Sequence, residues 1–164
     1  MSFSQMILPE FEQEMASTRR VLEQVPDDKL DWKAHPKSNT IGWNANHLVE
    51  IPGWVAGTLA NLSWDIEGYE TPNLRSRAEI LAAFDKNVAE ACAALNSTTD
   101  EAVSQMWSLK SGDNVLMTMP RSVVIRSFVI NHTIHHRAHL CVYLRLNDLP
   151  VPGMYGPSGD EPAS

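Results

Sequence analysis

The chain has 164 residues, 43% of them hydrophobic and 20% charged, with a formal net charge of −7. That length and balance predict one globular domain with a proper core, and they exclude a disordered or fibrous chain. The acidic excess, with no cluster of Lys or Arg, excludes a nucleic-acid backbone or an anionic membrane as the expected partner.

In chain order, residues 8–25 predict the first helix, with Pro9 suited to its opening turn and one apolar stripe of Leu8, Phe11, Met15, Leu22 and Val25. Pro26-Asp27-Asp28 ends it, and the polar connection that follows carries His35, which precedes a proline and is given no metal role. The second helix opens near Ser38 to Thr40, where either hydroxyl serves as a cap. It carries His47 on the same face as Trp43, Ile51, Trp54 and Thr58, so His47 is expected to point inward. Pro52-Gly53 is expected to interrupt and kink this helix, since Pro52 has no N–H for the Leu48 carbonyl. Glu50, one turn from His47, is either an acceptor for an imidazole N–H or a solvated carboxylate, and the solvated reading is preferred. Residues 64–74 are expected to be loop.

Ser76-Arg77-Ala78-Glu79 has the form of a capping box and starts a third helix, which runs to about Leu95 on a stripe of Ile80, Leu81, Phe84, Val88 and Cys92. Residues 100–119 are weakly periodic, and Ser111-Gly112-Asp113-Asn114 is a turn signal consistent with a short hairpin. Pro120 opens the fourth helix, about Arg121 to Leu146, and a Pro/Gly-rich tail follows from about residue 148 to 164. The fold class expected is therefore all-α, a single-domain four-helix bundle with that hairpin between helices 3 and 4. Cys92 and Cys141 lie on separate predicted helices, which argues against a disulfide framework and makes a reducing cytoplasm the expected location. Met1-Ser2-Phe3-Ser4 lacks a basic segment leading into an apolar run, so no signal peptide is expected, and no stretch is long and apolar enough to span a membrane.

The fourth helix carries the chemistry. Four of the six histidines lie in Asn131-His132-Thr133-Ile134-His135-His136-Arg137-Ala138-His139. At about 100° per residue, a face centred on His132 places His136 about 40° to one side, His139 about 20° to the other and His135 about 60° off centre. Ile125, Phe128, Val129, Tyr143 and Leu146 share that direction, whereas Arg126, Arg137 and Arg145 point away. A single histidine on an apolar face is ordinarily a hydrogen-bonded core residue. Several on one stripe are costly to satisfy that way, and the i, i+4 pair His132/His136 offers two nitrogens to one ion. The spacing favours a metal site, with His47 as the third ligand from another helix.

The run Asn131-His132-x-x-His135-His136-Arg137, the later Tyr143-Leu144-Arg145, Gly42-Trp43 with His47-Leu48, and the tail Val151-Pro152-Gly153-Met154-Tyr155-Gly156-Pro157 together resemble the DinB-like family of four-helix metalloproteins. The resemblance covers nearly the whole chain. It implies the metal triad His47, His132 and His136, the same residues the helical faces select. It also implies a metal-dependent enzyme related to transferases and isomerases that use low-molecular-weight thiols such as bacillithiol, mycothiol or glutathione, and a homodimer. The departure is Ala138-His139, where Gly-Gln is usual. His139, expected inward, is then a hydrogen-bond donor behind a ligand, a fourth ligand, or the partner of His135, which is read as peripheral. Three neutral imidazoles leave one divalent ion per chain with an open position, the pattern of catalytic zinc. Zinc or nickel is expected first, with iron or manganese also compatible. The alternatives are a metal-binding stress-response protein without catalysis and a hydrolase using metal-bound water. Tyr155 lines the site only if the tail folds over the bundle mouth.

Overall fold

Ser2 caps the first helix. Its hydroxyl accepts from the Gln5 N–H at 3.2 Å, and the Gln5 side chain accepts in return from the Ser2 N–H at 2.9 Å. In the computed structural model, which describes residues 1–161, this capping box starts α1 at Phe3–Leu22. The start thus precedes the expected residue 8, and Pro9 sits inside the helix rather than in its opening turn. Residues 162–164 of the expected tail lie outside the described residues.

α2 spans Ile41–Ala60, with Thr40 accepting from the Trp43 N–H at 3.0 Å. The helix continues through Pro52 instead of stopping there. Asn87, from the third helix, donates to the Val49 carbonyl at 2.8 Å, beside the carbonyl that Pro52 leaves without its partner. At the other end, Gly42 lets α2 approach the 3-10 turn Asp27–Lys29: its N–H donates to the Leu30 carbonyl at 2.8 Å, and a Cβ there would meet that oxygen at 2.9 Å. α3 spans Arg77–Ser97 from its Ser76 cap, and a short α4 follows at Asp100–Ser104.

The hairpin exists and is larger than expected. β2 (Met106–Ser111) and β3 (Asn114–Pro120) pair antiparallel around Gly112, whose φ of +57° suits the tight turn. β1 (Ser63–Asp65) lies in the segment expected to be loop and pairs parallel to β2, giving the order β1-β2-β3. The molecule is therefore five helices with a small three-stranded sheet among the described residues, and the all-α expectation holds only approximately.

The last helix, α5, covers the expected range in three parts: Arg121–Val124, a π-helical stretch Ile125–Asn131, and a regular α-helix His132–Leu146. The π-helical turns rotate the second half relative to the first, so one uniform wheel fails across the junction. Beyond it the buried stripe is Thr133, Arg137, Leu140 and Leu144, with His136 beside it. His139, Val142 and Leu146 are exposed, contrary to the inward reading of His139 and Leu146, and Arg137, expected outside, is only 2% exposed.

Arg137 is neutralised by α1 and by the tail. Its Nη2 lies 2.6 Å from a Glu14 carboxylate oxygen and donates to the Tyr155 hydroxyl at 2.9 Å. Tyr155 in turn donates to Glu14 at 3.0 Å, and the Arg137 Nη1 donates to the Glu14 carbonyl at 3.0 Å. The tail folds back here, on the α1–α5 seam. Removing Glu14 leaves a buried guanidinium uncompensated, so Glu14→Ala is expected to cost about 3–5 kcal/mol in chemical denaturation. Tyr155→Phe, which leaves the ion pair intact, should cost only about 1 kcal/mol.

Candidate metal centre

His47, His132 and His136 come together as expected. The His132 and His136 Nε2 atoms are 2.8 Å apart, and the His47 Nε2 is 3.3 Å from that of His132. One donor atom from each lies within 4.8 Å of the others. A tetrahedral zinc with bonds of about 2.0–2.1 Å requires donors roughly 3.4 Å apart, which the His47–His132 pair meets and the closer His132–His136 pair would reach by opening slightly.

What turns the rings is behind them. The His47 Nδ1–H donates to the Glu50 carboxylate, which also accepts from the Tyr69 hydroxyl. Glu50 is 6% exposed, so the preferred reading of a solvated carboxylate is overturned. The His136 Nδ1 faces the Asn44 side-chain oxygen at 3.3 Å. With both Nδ1 atoms protonated, the Nε2 lone pairs of His47 and His136 point at a common centre. Two imidazole lone pairs at such range are stable only with a proton or a cation between them, so the donor set fits a divalent ion. The His132 Nδ1 is buried without an aligned partner. Trp43 stacks on His47 with ring centroids 4.6 Å apart, and Trp54 packs on His132 at 5.5 Å.

Burial in this aromatic setting disfavours the charged rings. The His132 pKa falls to about 4, chiefly by loss of solvent and then by repulsion from His47, and the His136 pKa falls to about 3 for the same reasons in the same order. Both rings are therefore neutral and ready to ligate near neutral pH. Tyr69 is pushed upward, first by burial and then by its bond to Glu50, and stays a protonated donor.

A cavity of about 310 Å³ opens beside the centre, with His47, His132, Glu50 and Tyr69 on one wall. The opposite wall is apolar: Trp64 of β1, Trp107 and Leu109 of β2, Met117 of β3, and Phe128 in the π-helical stretch. The remaining sequence candidates lie elsewhere. His135 and His139 are exposed, with ring centroids 4.3 Å apart. His35 is exposed and accepts from the Lys37 N–H at 3.1 Å. Tyr155 is held by Glu14 and Arg137 and does not line the cavity. The sequence reading missed Asn44 and Tyr69. Asn44 lies three residues before His47 on the same helix and was within reach of that spacing argument; Tyr69 sits in a loop with no periodicity to mark it.

A family model described as the DinB superfamily matches residues 10–140. The chain belongs to the DinB superfamily. YrdA, an uncharacterized protein of Bacillus subtilis (strain 168), is 26% identical over 159 residues, which cover 94% of this chain and 89% of YrdA. The crystal structure of a DinB-like protein from Bacillus cereus ATCC 10987 superposes with a TM-score of 0.68 at 25% identity, covering 90% of this chain and 95% of that one. A second DinB-like structure, YjoA from Bacillus subtilis, reaches a TM-score of 0.71 at 15% identity over 90% of this chain and 96% of its own, and shows the shared fold. This DinB-superfamily chain has no helix, among the described residues, long and apolar enough to cross a membrane.

The depressed pKa values set a pH dependence. Below the ordinary 6.5 the unfolded chain takes up protons at these positions while the folded one does not. The stabilisation from the two neutral rings is thus complete above about pH 6.5 and is lost as pH falls toward 4 and 3. Metal-stripped protein should lose stability between pH 7 and pH 4.5 in denaturant titrations, and His136→Leu should show a shallower loss.

Proposed function

We propose that this DinB-superfamily protein is a divalent-metal-dependent enzyme of the thiol-transferase kind, with His47, His132 and His136 as ligands and the adjoining cavity as the substrate site. The observation that carries the reading is the convergence of three imidazoles, two of which, His47 and His132, line a mostly apolar cavity. Such a donor set would leave a bound divalent ion its full positive charge, with the cavity beside it to admit a further ligand. A bound zinc or nickel ion would lower the pKa of a low-molecular-weight thiol and favour its thiolate. Iron and manganese fit the same ligands less selectively.

The chain's own residues do the remaining work. Glu50 holds the His47 ring and strengthens it as a donor, and Tyr69 holds Glu50. Trp54, Trp64 and Phe128 offer apolar surface to an electrophilic second substrate. A homodimer in the cytoplasm, acting on small molecules, completes the proposal.

Elemental analysis of untagged protein tests it. About one tightly held ion per chain, surviving exhaustive dialysis against metal-free buffer, is expected, retained in His135→Ala and lost in His47→Ala, His132→Ala and His136→Ala. The same three variants should abolish transfer of bacillithiol, mycothiol or glutathione to a chromogenic electrophile. Wild type that takes no zinc, nickel or iron on reconstitution would sink the reading. Tyr69→Phe should keep its fold and lose about 10–100-fold in metal affinity or activity.

A further inference from the structure

The described residues contain two groups of three histidines, not one. His47, His132 and His136 form the buried centre, and His135, His136 and His139 form a second group whose donor atoms also lie within 4.8 Å of one another. His136 belongs to both. We propose that His135 and His139, with His136, form a surface site that captures a divalent transition-metal ion and passes it inward to the buried triad. The transfer half of this proposal rests on the triad binding metal; the capture half does not.

The geometry supports each step. His135 and His139 are one turn apart on the regular α-helical part of α5, below the π-helical stretch, so their rings project side by side. Both are exposed, and a hydrated ion reaches them without any opening of the fold. His136 stands between the groups: its ring centroid is 4.9 Å from that of His135 and 5.9 Å from that of His139, and 4.6 Å and 4.4 Å from those of His132 and His47. An ion held at the surface can therefore exchange His135 and His139 for His132 and His47 while keeping one imidazole throughout. The gradient runs inward, because Glu50 and Asn44 orient the inner rings, while among the described residues no hydrogen bond fixes the two outer ones. The cavity is the other way in. Apart from His47, His132 and the Glu50 and Tyr69 beside them, most of its lining is apolar, including Trp54, Trp64, Trp107, Leu109 and Phe128.

Ni²⁺ alone, added to metal-stripped untagged protein, is the probe. Quenching of Trp43 and Trp54, which pack on the inner histidines, reports arrival at the triad in stopped flow, and equilibrium dialysis with elemental analysis counts ions. The His135→Ala/His139→Ala double variant should still reach one inner ion per chain but load it at least about tenfold more slowly. His47→Ala, with His47→Gln as the packing-conserving alternative checked by circular dichroism, should retain a weaker ion that disappears when His135 and His139 are also replaced. Loading of the double variant at the wild-type rate, or no residual ion in either His47 variant, overturns the proposal and leaves the triad standing. An ion in wild type that depends on His135 and His139 but not on His47 overturns the triad, and the transfer with it.

Discussion

Three imidazole nitrogens facing one another inside a protein repel unless something positive lies among them. Around that constraint the site is built. Glu50 and Asn44 hold protons on the outer nitrogens of His47 and His136, which commits the inner nitrogens to being acceptors. Aromatic packing by Trp43 and Trp54 removes the water that would otherwise relieve the repulsion by protonation. α2 and α5 are both needed for this arrangement, since one contributes His47 with Glu50 and Asn44 and the other contributes the i, i+4 pair.

The triad was legible because helical periodicity is a local property. His132 and His136 lie within a single turn, and His47 lies on an apolar face of its own helix. Neither inference needs to know what happens at a distance. His139 and Arg137 were misplaced because the wheel was carried unbroken across the π-helical stretch and centred on His132, whereas the buried stripe of the regular segment is centred nearer Thr133 and Arg137. An isolated sequence gives no sign of extra residues wound into a turn. β1 is three residues long and owes its existence to β2, forty residues on, so no pattern within it announces a strand. Glu50 and Tyr69 show a third kind of limit: the carboxylate was seen, but its burial depends on a loop whose path the sequence does not reveal.

Arg137 illustrates how a charge at the wrong-looking position becomes part of the core. It directly follows His136, and its guanidinium is satisfied by Glu14 of α1 and Tyr155 of the tail. The C-terminal segment is held further by the Arg145–Asp160 ion pair and by the Gly153 N–H donating to Glu161. α5 is thereby clamped by α1 and by the tail, and the orientation of His136 depends on a helix held by both.

The cavity has two walls of different origin. Helix α2, the regular part of α5 and Tyr69 supply the polar wall and the centre itself, while β1, β2, β3 and Phe128 supply most of the apolar wall. Side chains of the sheet can change size or polarity without moving a ligand, because no strand lies in the bundle that positions the histidines. The scaffold thus separates what activates from what selects. On the proposed function, one bundle can accept different substrates through changes confined to a hairpin, and a designer seeking a new specificity would begin at Leu109 and Met117 rather than on the helices.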